Sequence, residues 1–314
     1  MKKLVASVFL WAFVGLFAFD VSAETRVDRL RSKIASGDRS YVFVTMHRGD
    51  WRNYPENSID AILSCVRLGA DVVELDVART KDGHFVLSHD ATIDRATTGK
   101  GRVEDLTLAE LRQFKLREGS GGPDAPATKY DILTLEEALE ATRGKILVNI
   151  DKFIFHPKQI LDVVKAKGCL QNVIVKSDWP VATLRGMIGE EYWKMIQSGE
   201  LIYMQILRYP KKAAIADEWF ALEPRTNSVY ECNFSDVASE RIATTLQEKY
   251  PTVRIWMNTL WDSQSNGHSD AWGLKGEPEK GWGWCIDQGK ATFIQTDAGK
   301  DVIDYLTKQK RREF

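Results

Sequence analysis

What most constrains this chain is a recurring unit: a short apolar run rich in β-branched residues, followed by a stretch with helical spacing. The runs cover 42–46, 72–77, 85–88, 146–150, 173–175, 201–206, 253–257 and 292–295. Most are too apolar to leave one face wet, and alternation with helices then gives a parallel sheet covered by helices. Between them, Ile59, Ile62, Leu63 and Val66 repeat at helical spacing after the cap candidates Asn57 and Ser58, and Gly69 ends the stretch. Thr134 and Glu137 form a capping box before Leu135, Ala138 and Leu139. Further helical patterns cover 156–168, 180–197, 236–249 and 299–312, and a Gly/Pro-rich excursion at about 91–131 breaks the rhythm around one short helical pattern at 106–114.

Polar residues end nearly every run: His47-Arg48, His89-Asp90, Asn149 to Lys152, Lys176, Asn233, Asn258 and Thr296-Asp297. A (β/α)8 TIM barrel assembles its active site at these carboxyl ends, so this fold class is expected. A doubly wound open sheet also binds ligands there, but no Gly-x-Gly-x-x-Gly turn follows the first run.

The segment 1–23 is set apart as a secretory signal. Lys2 and Lys3 precede the uncharged apolar run 4–19, and Val21-Ser22-Ala23 offers a small-residue cleavage site. An uncleaved anchor would need roughly 20 apolar residues. The barrel is therefore expected over 24–314, periplasmic or secreted, with no stable membrane anchor after cleavage. With 43 basic against 44 acidic residues, the chain lacks the basic excess of a nucleic-acid binder. The 4 cysteines show no metal-finger or dithiol spacing. Two disulfides are possible in an oxidising compartment, and Cys65, inside a helical pattern, reads equally as a buried thiol.

Glu74 and Asp76 lie two apart on a strand and share a face, which in a barrel is the interior. Two inward carboxylates repel and lose solvation unless a cation compensates them. With Asp151 ending another strand, three oxygen donors suit Ca²⁺ or Mg²⁺. His47 and His89 are two of only 5 histidines, both at run ends. Beside a cation they can serve as general base and general acid, and Arg48 can hold two phosphate oxygens. That combination favours phosphoryl transfer.

The strings His47-Arg48-Gly49, Pro55-Glu56-Asn57-Ser58, Gly69 through Val77, Thr80-Lys81-Asp82-Gly83 and His89-Asp90 together resemble the glycerophosphodiester phosphodiesterase family. The likeness continues through Arg95 to Gly101 and Leu133 to Leu139, and returns at Trp256-Met257-Asn258 and Gln295-Thr296-Asp297. It implies a TIM barrel with a small insertion and metal-dependent hydrolysis of a small glycerophosphodiester to glycerol 3-phosphate and an alcohol, or to a phospho-alcohol and glycerol. It also implies an acid/base pair in His47 and His89, a phosphate ligand in Arg48, and metal ligands in Glu74 and Asp76. Asn57 reads as a helix cap, Gly83 as the turn residue of a hairpin, and Asp90 as the partner of His89.

Two features depart from the pattern. Where the family has Glu-x-Lys, this chain reads Asp151-Lys152-Phe153, and strand parity turns Lys152 away from the face of Asp151. Lys176 could replace the missing charge, so Lys152, Lys176, Asn258 and Trp256 are candidate phosphate or substrate contacts. The segment 256–284 carries Trp256, Trp261, Trp272, Trp282 and Trp284. These rings either pack the loop or meet a polyol, a choline ammonium or a membrane surface. Rival readings are a phospholipase-like enzyme acting on lysolipids or inositol phosphodiesters, and a non-catalytic glycerophosphodiester-binding protein. Oligomeric state is not encoded in any of these patterns.

Overall fold

The computed structural model describes residues 23–208, 214–215, 218–219 and 229–313, so the signal segment falls almost wholly outside the described residues. Nine strands follow in chain order: β1 (Phe43–Met46), β2 (Val72–Arg79), β3 (Phe85–Leu87), β4 (Leu147–Asp151), β5 (Val173–Ser177), β6 (Ile202–Arg208), β7 (Val229–Asn233), β8 (Arg254–Asn258) and β9 (Phe293–Thr296). All but β3 run parallel in the order β1-β9-β8-β7-β6-β5-β4-β2, and β1 also pairs with β2. That pairing closes the sheet into the expected eight-stranded barrel.

One strand differs from the sequence expectation. The run at 85–88 is not a barrel stave: β3 folds back antiparallel on β2 through the turn at Gly83, whose φ of 90° favours glycine. The missing stave is β7, which no continuous apolar run announces because Glu231 interrupts it. Both miscounts have one cause, since strand length and apolarity do not distinguish a hairpin arm from a stave.

Inside the barrel, the lower layers are apolar. Phe43 stacks on Phe293 at 4.3 Å, and Trp256 stacks on Phe293 at 5.2 Å. Leu147, Ile174, Ile202, Met204 and Val229 join this core, and Val27, Leu30 and Ile34 of the helix Arg26–Ala35 close its amino-terminal end. A second, larger core lies between the strands and the outer helices. Ser58, not Asn57, caps the helix Ile59–Leu68, and Gly69 ends it at φ 80°. The Thr134–Glu137 capping box opens the helix Leu135–Thr142 as expected. The long helix Val181–Ser198 bends at Gly189, whose backbone leaves helical geometry.

The excursion at 91–131 adds no stave. Isolated bridges tie Thr92 to Arg102 and Thr97 to Leu116, around a small core of Val86, Ile93, Val103, Leu111 and Ile132. All four cysteines are buried free thiols. Among the described residues, no helix is long and apolar enough to cross a membrane.

Candidate active site

Side-chain parity raises one polar layer at the carboxyl end of the barrel, above the apolar layers. Glu74 and Asp76 project inward from β2 and Asp151 from β4, where Asp76 and Asp151 are register partners. One carboxylate oxygen from each lies within 4.8 Å of the others. Burial, then the adjacent Asp76 carboxylate, pushes Glu74 up to about 8. Burial also works against the Asp151 carboxylate, but Lys176 overcomes it and holds Asp151 below its ordinary range. The oxygens of Glu74, Asp76 and Asp151 are all hard donors, and their mutual repulsion is the condition a divalent cation relieves, so these residues fit Ca²⁺ or Mg²⁺.

The His47-Arg48-Gly49 turn follows β1. Arg48 and Gly49 both have positive φ, 53° and 80°, and a Cβ at Gly49 would come within 2.8 Å of the Ala61 methyl. Glycine there lets the turn lie on the helix Ile59–Leu68. The turn points the Arg48 amide at Glu74 Oε2, 2.9 Å away, and its guanidinium at Glu56, 3.0 Å, and Asp76, 3.5 Å. Nε of Arg48 is buried and makes no hydrogen bond, with Asp76 Oδ2 facing it at 3.5 Å. Asn57 takes a different role from the expected cap. Its amide Nδ2 donates to Asp76 Oδ2 at 3.1 Å and its Oδ1 accepts from the Asp76 amide at 3.2 Å.

Each histidine is held at Nδ1 by a carboxylate. His47 meets Asp297 at 2.8 Å and His89 meets Asp90 at 2.7 Å, as expected for the second pair. In both rings that contact favours the proton on Nδ1 and leaves Nε2 free as the basic nitrogen. Burial opposes the His47 imidazolium, but the Asp297 hydrogen bond and the Glu74 and Asp297 charges outweigh it and raise its pKa. Asp297 also accepts from Trp51 Nε1 at 2.6 Å, and Trp261 stands edge-on to His47 at 5.7 Å.

An ionic chain links the two halves of the site. Asp76 faces Arg48, Arg48 and Arg95 share Glu56, and Arg95 also binds Asp90, the partner of His89. The Pro55 to Ser58 string and the Arg95 string thus meet in space at Glu56, which explains a coupling that linear spacing does not show.

The remaining candidates divide. Lys152 leaves strand geometry at φ 59°, so the parity argument does not govern it, and its Nζ reaches the Ser88 carbonyl at 3.4 Å. Lys176 is buried between Asp151, 3.4 Å, and Glu231, 3.3 Å. Burial opposes its charge, but Asp151, Glu231 and Glu74 hold its pKa above the ordinary range. Asn258 donates to Glu231 at 3.0 Å and accepts from Trp256 Nε1 at 2.8 Å. Trp256 is 0% exposed in the barrel core, so it supports the floor of the site from below instead of offering a substrate surface. Of the other tryptophans, Trp282 is buried and Trp284 stacks on His268 at 3.7 Å. Trp261, half exposed, is the one set against a candidate catalytic side chain. Sequence reasoning missed Glu231, Trp51 and the role of Glu56. An acid in the middle of an otherwise strand-like pattern was the available signal for Glu231.

Comparison with known proteins gives the family and the fold. The model of the glycerophosphoryl diester phosphodiesterase family matches residues 47–207, just over half of the 314-residue chain. The chain belongs to this family. A second model, described only as a domain of unknown function, matches residues 203–306. The glycerophosphodiester phosphodiesterase of Caldanaerobacter subterraneus subsp. tengcongensis is 39% identical over 145 residues, 43% of this chain and 57% of the relative. One from Bacillus subtilis is 32% identical over 146 residues, 44% of this chain and 47% of the relative. The aligned region thus spans about half the length of these curated relatives. Among solved structures, a glycerophosphoryl diester phosphodiesterase from Parabacteroides distasonis superposes with TM-score 0.71 at 22% identity, covering 90% of this chain and 92% of its own. A phosphodiesterase from Oleispira antarctica, solved with the product sn-glycerol-3-phosphate, superposes with TM-score 0.56 at 17% identity, covering 85% and 96%. At these identities the structural likeness speaks for the fold that this family shares.

Proposed function

We propose that this member of the glycerophosphoryl diester phosphodiesterase family hydrolyses a small glycerophosphodiester, releasing glycerol 3-phosphate and an alcohol. The observation that carries the reading is the convergence of two carboxylate-held imidazoles with the Glu74, Asp76 and Asp151 cluster and the Arg48 guanidinium at one barrel end. A cation held by Glu74, Asp76 and Asp151, Ca²⁺ or Mg²⁺, would supply charge stabilisation for the phosphate oxygens. Arg48 orients the phosphate and shares its growing negative charge through the guanidinium. One imidazole takes a proton at Nε2 from the attacking oxygen. The other, as the imidazolium, delivers its Nε2 proton to the departing alkoxide as the P–O bond breaks. Asp297 and Asp90 each accept from Nδ1–H, which turns Nε2 of both rings towards the reaction whether it is bare, as in the base, or protonated, as in the acid. Lys176 offsets the charge of Asp151 and Glu231, so its role lies under the metal site more than on the phosphate. Export through the 1–23 segment is part of the same proposal.

The test is release of glycerol 3-phosphate from a panel of glycerophosphodiesters by the purified protein with added Ca²⁺ or Mg²⁺. Turnover lost in His47→Ala and His89→Ala supports the reading. No product from any diester with either ion, in a protein that melts cooperatively, refutes it.

A further inference from the structure

Beside the proposed catalytic centre lies a cavity of about 630 Å³ that the mechanism above does not use. Three segments build it: the end of β2 with its hairpin turn, the insertion around Arg102, and the turn after β4. Two of its wall residues also belong to the site. Asp90 holds His89, and Lys152 follows directly on Asp151 in the chain. Through these two residues the cavity adjoins the margin of the proposed site.

The wall is cationic in a specific way. Arg79, Lys81, Arg102 and Lys152 line it against two acids, Asp90 and Glu104. Both acids are already committed, Asp90 to Arg95 and His89, and Glu104 to Arg102. Among the described residues, Lys152 donates to the Ser88 carbonyl and its charge also acts on Asp151. Among the described residues, neither Arg79 nor Lys81 has a carboxylate within ion-pair distance, though the Lys81 charge is felt at Glu110. Structural cations on a protein surface usually find acids or solvent at random; here the unpaired ones converge on a concavity. One side is aromatic. Phe155 is 66% exposed, and the His156 ring packs against Phe85 at 5.8 Å. Burial and then the Arg79 charge lower the pKa of His156.

We propose that this cavity is a second anion subsite, which takes a phosphomonoester carried on the alcohol portion of the diester, with Arg79 and Lys81 as its charge-pairing residues and Phe155 covering the carbon skeleton. The proposal rests on the phosphodiesterase reading for the position of the first phosphate. It names the substrate class more closely: diesters whose leaving alcohol is itself anionic, in preference to zwitterionic or neutral headgroups. The same phosphomonoester chemistry occurs in free phosphorylated polyols, and binding of those as ligands separates the subsite from catalysis.

The experiment uses matched pairs and the full protein. By calorimetry, an inositol bisphosphate should bind about 10-fold tighter than an inositol monophosphate, and the Arg79→Gln/Lys81→Gln variant should erase the difference. In turnover, glycerophosphoinositol carrying one further ring phosphate should exceed plain glycerophosphoinositol in kcat/KM by a similar factor, again lost in the variant. The wild-type protein alone gives a third readout, since both preferences should shrink as ionic strength rises. Equal affinity for the two inositol phosphates, or a preference that survives the double substitution in a variant of normal melting temperature, overturns the subsite. Absence of turnover on either diester with the calorimetric difference intact would instead overturn the phosphodiesterase reading and leave the anion site standing.

Discussion

Oδ1 of Asp297, at the end of β9, lies 2.8 Å from Nδ1 of His47, at the end of β1. The two residues are 250 positions apart and are neighbours because β1 and β9 are adjacent staves. The contact sets the tautomer of the imidazole, and the carboxylate raises its pKa against the opposing effect of burial. Asp297→Asn should lower kcat by about 10²-fold, the lower end of what a positioned acid/base group contributes. Because the carboxylate that favoured the imidazolium is gone, the histidine limb of the pH-rate profile should move to lower pH. A profile with unchanged limbs would show that Asp297 serves packing alone.

Arg95 touches no group expected to react, yet it bridges Glu56 and Asp90 and so couples Arg48 to His89. Arg95→Ala should reduce kcat more than it raises KM, by about 10-fold or more. Arg95→Lys cannot span both carboxylates with a planar fork and should rescue only weakly. Steady-state kinetics of the two variants, with melting temperatures as control, give the answer.

Asp90 supplies a pH dependence of stability. Burial opposes its charge, but Arg95 and His89 outweigh it and hold the pKa at about 2, well below the ordinary carboxylate range. A depressed carboxylate stabilises the fold above its unfolded pKa and loses that contribution as pH falls through the folded one. The stability difference between wild type and Asp90→Asn should be constant above about pH 4 and vanish towards pH 2. Urea titrations across that range measure it.

Glu74 behaves in the opposite sense. Burial and Asp76 push its pKa up to about 8 without a cation, so its charge costs stability in the metal-free protein. Glu74→Gln should raise the melting temperature of the chelator-treated protein while abolishing the further rise that Ca²⁺ or Mg²⁺ gives the wild type. A variant that still gains stability from the ion would place the cation elsewhere.

The two tryptophans that flank the site should separate cleanly. Trp256→Ala empties the barrel floor and should cost about 3–5 kcal/mol of stability. Trp261, half exposed and edge-on to His47, should on substitution by Ala change KM and leave the melting temperature within about 2 °C. Denaturation and kinetics on both variants test the contrast.

Much of the site was legible because its residues sit at strand ends whose period is two. Glu74 and Asp76 had to share a face, and that face had to be the interior once the strands closed. His89 with Asp90 was readable as a sequence neighbour pair, and Ser58 with Gly69 as helix signals. Strand parity does not hold where the backbone leaves ideal geometry, and apolarity does not mark a strand that a charged residue interrupts. Lys152 escaped strand parity through a left-handed turn, and of β7 only the end at Asn233 was legible, because Glu231 breaks the apolar run to meet Lys176. Trp256 was misplaced for a related reason: position near a strand end says nothing about depth, and its ring points into the apolar layer.

What the sequence by itself determined is the class of fold and the chemical inventory, since periodicity, caps and the spacing of acids and histidines are local properties. Only the tertiary structure decided the partnerships. Barrel closure sets Asp297 against His47, the insertion carries Arg95 back to Glu56, and the β2 hairpin leaves Arg79 and Lys81 facing a cavity with no ion-pair partner among the described residues. Such pairings depend on which strands become neighbours and how far a loop reaches, and those are settled by the packing of the whole chain.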